Sequence, residues 1–137
     1  MSFDIAALDS STPSEEGREM ELLRMDGAVV KHPDGRPVTI TLRGRLSRAV
    51  QAADREIQNR RLEMSRRGRR VSLEEADDEI TTTLVAATKA WSFDTMDGQS
   101  FACTPENARK FWTDPRFLHL REQGLVFMRE DARFTQR

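Results

Sequence analysis

The stretch Ser72-Leu73-Glu74-Glu75-Ala76-Asp77-Asp78-Glu79-Ile80-Thr81-Thr82-Thr83-Leu84-Val85-Ala86-Ala87-Thr88-Lys89-Ala90-Trp91 decides how this chain folds. Ser72 and Glu75 have the spacing of a capping box, in which a hydroxyl and a carboxylate satisfy the orphan donors of a helix start. Leu73, Ala76, Ile80, Leu84, Ala87 and Trp91 then recur every three or four residues, which predicts one amphipathic helix from Ser72 to Trp91. Upstream, Ser47 is a good N-cap for a second helix ending at Arg66-Arg67-Gly68. Its stripe of Leu46, Val50, Ala53, Ile57 and Met64 is narrow, and the Gly68 connection is short. The two segments are therefore expected to form an antiparallel helical hairpin with their stripes facing each other.

Further out, Val38, Ile40 and Leu42 alternate with Thr39, Thr41 and Arg43, the pattern of a strand with one buried face. A second extended segment spans Glu19 to Arg24, and Asp26-Gly27 and Pro33-Asp34-Gly35 between them are turn formers. A β-hairpin with a long, irregular connection follows. Two strands alone are marginal in water, so the hairpin must lean on helices or on another chain. Its free edge makes self-association into a homo-oligomer an expectation. Residues 1–17 are acidic and Ser-rich, too poor in apolar groups to offset ordering entropy, and are expected to be a flexible arm. Phe3, Ile5 and Leu8 could still dock on a core or a neighbouring subunit.

Downstream of Trp91, Ser92 to Gly98 reads as a loop ending in a tight turn. Thr104-Pro105 and Asp114-Pro115 are cap-plus-proline helix starts. The first helix carries Ala108, Phe111 and Trp112; the second carries Phe117, Leu118, Leu125, Met128 and Phe134, interrupted by Gly124. The expected fold is α+β and mainly α: an N-terminal β-hairpin, an antiparallel helical hairpin and two shorter C-terminal helices, with residues 18–137 forming a single small domain.

A chain of 137 residues with 22 basic and 23 acidic side chains, net charge -1, is not a uniformly basic nucleic-acid binder. No apolar run is long enough for a membrane span, and the acidic, Ser-rich start lacks the features of a signal peptide, so a cytoplasmic location is expected. Cys103 is the only cysteine, which excludes a disulfide framework within the chain. With only His32 and His119 to join it, no metal or other cofactor is expected.

Charge is strongly segregated. Residues 45–72 hold nine arginines against Asp54, Glu56 and Glu63, and Glu74, Glu75, Asp77, Asp78 and Glu79 follow at once. Such a basic helix, from Arg55 to Arg70, could track a phosphate backbone, but no aromatic interleaves it to stack bases. Mutual neutralisation across the turn is the simpler expectation, and both helix dipoles favour it. An acidic protein partner is the alternative. The carboxylates of Glu74 to Glu79 sit where a solvated helix face would place them, and no phosphate loop, nucleophile elbow or zinc-binding His pair is present. The chain is not expected to be an enzyme.

The C-terminal half reads as one phrase: a helix closing on Lys89-Ala90-Trp91, a loop with Asp97-Gly98, Phe101, then Thr104-Pro105-Glu106-Asn107-Ala108, Asp114-Pro115 and a last helix ending near Phe134. In this order the elements resemble the tail assembly chaperone family of long-tailed bacteriophages and related prophages. The N-terminal half agrees more loosely, through Val38-Thr39-Ile40-Thr41-Leu42-Arg43-Gly44 and the arginine-rich helix around Gln58-Asn59-Arg60-Arg61, so that the resemblance covers about residues 19 to 134. It implies a non-catalytic factor that accompanies the tape measure protein, keeps that long helical chain soluble, helps recruit tail tube subunits, and leaves before the virion matures. In many such systems a frameshift also yields a longer form. The dense arginine run is not a normal demand of the family pattern. A structural tail or neck protein forming an oligomeric ring, or a small nucleic-acid-binding regulator, are the other readings. Partner contacts are sought at Arg60, Arg61, Arg66 and Arg67, and at Trp91, Phe111, Trp112 and Phe117, aromatics large enough to anchor an interface although their helical spacing equally suits a core.

Overall fold

A computed structural model describes residues 2–130. Phe134 lies outside the described residues. Strands β1 (Arg18–Glu21) and β2 (Thr39–Leu42) pair antiparallel, with Met20 opposite Ile40, and form the expected hairpin. Their connection folds into two successive tight turns, bridged at Leu23–Val29 and Lys31–Pro37. The helical hairpin follows as α2 (Arg48–Arg66) and α3 (Leu73–Ala87). Ser47 caps α2, and the full Ser72/Glu75 capping box starts α3.

At its far end α3 departs from the periodicity. The helix stops at Ala87, and Thr88–Trp91 continues as strand β3, paired antiparallel with β2 to give the sheet order β1-β2-β3. The cause is Arg43, at the end of β2. Its backbone N–H bonds the Ala87 carbonyl, and its guanidinium donates to the Ala86 and Thr88 carbonyls at 3.1 and 3.2 Å. Carbonyls that a longer helix would have bonded internally are satisfied from the sheet instead. One edge of β2 is therefore covered by β3, and the open edges belong to β1 and β3.

The buried stripe of α3 is also rotated. Leu73 and Ile80, placed inside by periodicity, are 91% and 37% exposed, whereas Glu79, Thr81, Leu84 and Ala87 are buried. Polar side chains turn inward because they have partners there, as shown below for Glu79 and Thr81.

The turn at Asp97-Gly98 joins two short strands, β4 (Thr95–Met96) and β5 (Gln99–Ser100), and both turn residues have positive φ, 53° and 77°. Thr104-Pro105 opens α4 (Pro105–Thr113) as expected, while Asp114-Pro115 opens a 3-10 turn (Pro115–Phe117) that leads into α5 (Leu118–Arg129). Gly124 does not interrupt α5. It lies under Trp112, where an added Cβ would come within 3.1 Å of the ring. The core joins the inner face of the sheet (Met20, Ile40, Leu42) to Leu84 of α3, Phe111 and Trp112 of α4 and Phe127 of α5.

The segment expected to be a flexible arm carries a 3-10 turn (Ile5–Leu8) and a short helix, α1 (Ser11–Glu16). Asp9 holds the start of α1 by accepting from the Ser11 and Thr12 amides and hydroxyls, which keeps its carboxyl well below the usual carboxylate range. Ser14 is buried and its carbonyl accepts from Gly44 N–H at 2.9 Å, and the Glu15 carboxylate accepts from the Arg48 amide at the start of α2. Gly17 ends α1 at φ 77°, ψ -176°, a conformation open in practice only to glycine, and a Cβ there would meet the Leu42 carbonyl oxygen at 2.5 Å. Gly17→Ala is expected to lower stability by about 2–3 kcal/mol from backbone strain and this contact. Urea denaturation of the two proteins would measure it, and a change within error would mean that α1 is not docked in solution.

Candidate partner-binding surfaces

The four aromatics singled out in sequence lie together: Phe111 and Trp112 are buried in the core, and Trp91 and Phe117 are half-buried against it. Trp91 stacks between Phe93 and Phe101 at 4.7 and 5.2 Å, and its indole N–H donates to the Phe101 carbonyl. Phe111 touches Trp91, Phe93, Trp112 and Phe117, with centroids 4.9–6.0 Å apart. These rings bury apolar area and fix one another's geometry, so they hold the C-terminal half together, and only Trp91 and Phe117 keep part of their surface outside.

The short motifs of that half converge in the same way. Arg116 reaches Asp97 Oδ1 with Nη1 and Asp114 Oδ2 with Nη2, both at 2.7 Å, and its guanidinium lies 5.2 Å from the Phe117 ring centroid. The arginine holds both carboxyls below their usual range, chiefly by hydrogen bonding. Asn107 donates to the Ala102 carbonyl, and the Thr104 hydroxyl caps α4. Arg116 thus ties Asp97-Gly98 to Asp114-Pro115, and Thr104 and Asn107 together close the start of α4.

The arginines divide. Arg61 makes a forked pair with the buried Glu79, with Nε 3.1 Å from both carboxylate oxygens. Arg60 pairs with Glu56 at 2.8 Å and stands 3.7 Å from Asp78, which Arg109 also bonds at 3.0 Å. Mutual neutralisation across the hairpin is what the side chains do here. Arg66 and Arg67 share the single carboxylate of Glu63 at 3.9 and 3.3 Å, and Arg69 is 3.7 Å from Glu75. The tip of the hairpin therefore keeps a basic excess.

Hydrogen bonding to Arg61 lowers the titration of Glu79 below the ordinary glutamate range. A depressed carboxyl stabilises the fold above its unfolded titration range, and this contribution is lost as pH falls through its folded one. Arg61→Gln should therefore lower Tm most near neutral pH, with the gap from wild type closing as acid protonates Glu79. A Tm difference independent of pH would mean that the pair contributes nothing through charge.

Beside that tip, exposed leucines appear that periodicity had assigned to no partner surface. Leu62, about one turn before the end of α2, is 58% exposed, and Leu73 opens α3 in full contact with solvent. The available signal was position: both lie within a turn of a six-residue arginine- and glycine-containing connection, where among the described residues the helices have no third element to cover them. Phe3, Ile5 and Leu8 are also exposed, so the apolar cluster of the N-terminal segment is not docked against the described residues.

A third surface lies where the β1 edge faces α5. Here a groove of about 490 Å³ is lined by Glu19, Met20, Glu21, Gln123, Val126 and Phe127, among others. The Gln123 carboxamide donates to the Glu21 carbonyl at 2.7 Å and accepts from the Leu23 amide at 3.1 Å, so one side chain serves the strand as a neighbouring peptide group would.

Groups with potential reactivity have structural employment. Ser92 Oγ accepts from Thr39 N–H at 2.8 Å and contacts His32 Nε2 at 2.9 Å, tying the β2–β3 end to the turn before it. Burial pushes the Cys103 thiol up, which disfavours the nucleophilic thiolate. Among the described residues no cluster of His, Cys, Asp and Glu could hold a metal ion, and no helix is long and apolar enough to cross a membrane. Compared with protein-family models, curated proteins and solved structures, the chain matches none.

Proposed function

We propose that this chain is a non-catalytic phage tail assembly chaperone that binds the tape measure protein and helps recruit tail tube subunits. It would act in the host cytoplasm during assembly and be absent from the finished particle. The order of the C-terminal motifs motivates the reading, and one structural observation carries it furthest: the tip of the α2–α3 hairpin combines exposed Leu62 and Leu73 with Arg66 and Arg67, which share one carboxylate. A long helical partner with an apolar stripe flanked by carboxylates suits such a tip, since helix recognition rests on a few apolar anchors with charges at the rim. Co-expression with tape measure fragments, followed by pull-down and by mass spectrometry of purified particles, tests it. Capture that is lost in Leu62→Asp/Leu73→Asp, together with absence from particles, is the expected result. Stoichiometric protein in particles would overturn it.

That second outcome would favour a structural tail or neck subunit, a reading supported by the undocked Phe3, Ile5 and Leu8, which could reach a neighbouring copy in a ring. The nucleic-acid reading draws less support, because Arg60 and Arg61 are engaged by carboxylates of the same chain.

A further inference from the structure

The open edge of β1 is selective. Leu22 N–H bonds the Val38 carbonyl of the neighbouring segment, so by alternation the main-chain groups of Glu19 and Glu21 point away from β2. Gln123 occupies the Glu21 carbonyl and the Leu23 N–H. The Glu19 N–H and carbonyl and the Glu21 N–H remain directed into the groove beside α5. Met20 is buried beneath the sheet, whereas the Glu19 and Glu21 side chains stand on its solvent face. Val126, 53% exposed, forms part of the groove's apolar wall with Phe127.

Self-pairing is disfavoured by parity. In an antiparallel pair the residues whose main-chain groups face outward must meet each other, so any two-fold pairing of β1 with a second copy through these groups sets Glu19 against Glu19, Glu19 against Glu21, or Glu21 against Glu21. Like charges directly opposite destabilise a ladder. This counters the expectation that the free edge serves self-association. The same geometry favours a foreign strand with lysine or arginine at alternate positions. Between them an apolar residue would fall on the face of Met20 and meet Val126.

We propose that the β1 edge and its groove bind an extended segment of a partner protein with a basic–apolar–basic alternation, added as an antiparallel strand. The ladder would supply affinity, and Glu19 and Glu21 would select the charge. The inference is independent of the hairpin tip and of the assembly reading.

The test uses the full chain and the fluorescent peptide acetyl-GKVKVKG-amide, with acetyl-GEVEVEG-amide and a version carrying proline at the central position as controls. Saturable binding of the basic peptide, slowed amide exchange at Glu19 and Glu21, and loss of binding to both controls are expected. Glu19→Lys/Glu21→Lys, at two exposed side chains, should weaken the basic peptide by about tenfold and improve the acidic one, as cross-strand charge pairs require. Equal binding of the proline peptide would reduce the contact to diffuse electrostatics and overturn the proposal. So would absence of binding, or slowed exchange at Glu19 and Glu21 that follows protein concentration without peptide, which would identify a second copy as the occupant.

Discussion

Trp112→Ala should cost about 3–5 kcal/mol, the usual range for removing a buried tryptophan and leaving a cavity. Domains of this size are stable by about 5–15 kcal/mol, so the variant should lose a large share of its stability and its Tm should fall markedly. Trp112 is 2% exposed, meets Phe111 edge-on at 4.9 Å, and donates its indole N–H to Thr88 Oγ1 at 2.9 Å. Thr88 in turn donates to the Leu84 carbonyl at 2.7 Å, so the indole ends a chain of bonds at the point where α3 becomes β3. Gly124 supplies a sharper test. Gly124→Ala should destabilise the wild type, because the new methyl meets a ring that is anchored through its nitrogen. In the Trp112→Ala background the same change should stabilise, by up to about 1 kcal/mol from helix propensity. A double-mutant cycle in urea reads this reversal, and additive effects would mean that ring and helix do not touch as described.

Arg121→Met should cost about 2–4 kcal/mol although methionine fills much of the same space. The guanidinium is buried and donates to Thr81 Oγ1 at 2.7 Å, the Trp112 carbonyl at 3.2 Å, and the Asp77 carbonyl and carboxylate at 3.1 and 2.9 Å. One side chain thus joins α3, α4 and α5. The expected loss comes from the buried Thr81 hydroxyl and Trp112 carbonyl losing the arginine donor, not from the ion pair, because the Asp77 side chain is 68% exposed and the Asp77 carbonyl keeps the Thr81 hydroxyl as a donor. Asp77→Ala should accordingly cost less than about 1 kcal/mol. Chemical denaturation of the three proteins separates these sources, and equal losses for Arg121→Met and Asp77→Ala would assign the stabilisation to the ion pair instead.

Elements governed by local chemistry were legible in the sequence. The Ser72/Glu75 box, the Thr104-Pro105 start, the alternation through Val38, Ile40 and Leu42 and the Gly68 turn place β1–β2, α2–α3 and α4 where they lie. What escaped was set by distant partners. Arg43 ends α3 from the sheet, Arg121 draws Thr81 inward, and Arg61 does the same for Glu79, so the true inner face of α3 cannot be found by marking apolar residues alone. The same limit applied to the candidate surfaces. Spacing selects large aromatics, but only their mutual packing buries Phe111 and Trp112 and half-buries Trp91 and Phe117, and only their place at the hairpin tip leaves Leu62 and Leu73 outside. The pairing of basic and acidic runs was legible because it followed from adjacent charge and short chain separation.

The sheet has a further bearing on the order of folding. β3 pairs with β2 only across the whole of α2 and α3, a separation that would make this contact entropically slow in an open chain. Once the two helices close on each other, their outer ends lie side by side, and β3 is delivered to β2 as though the intervening chain were short. The helical hairpin is then expected to form first, with the third strand as its product. A substitution that loosens Arg61 from Glu79 should slow sheet formation in stopped-flow refolding, although neither residue belongs to the sheet.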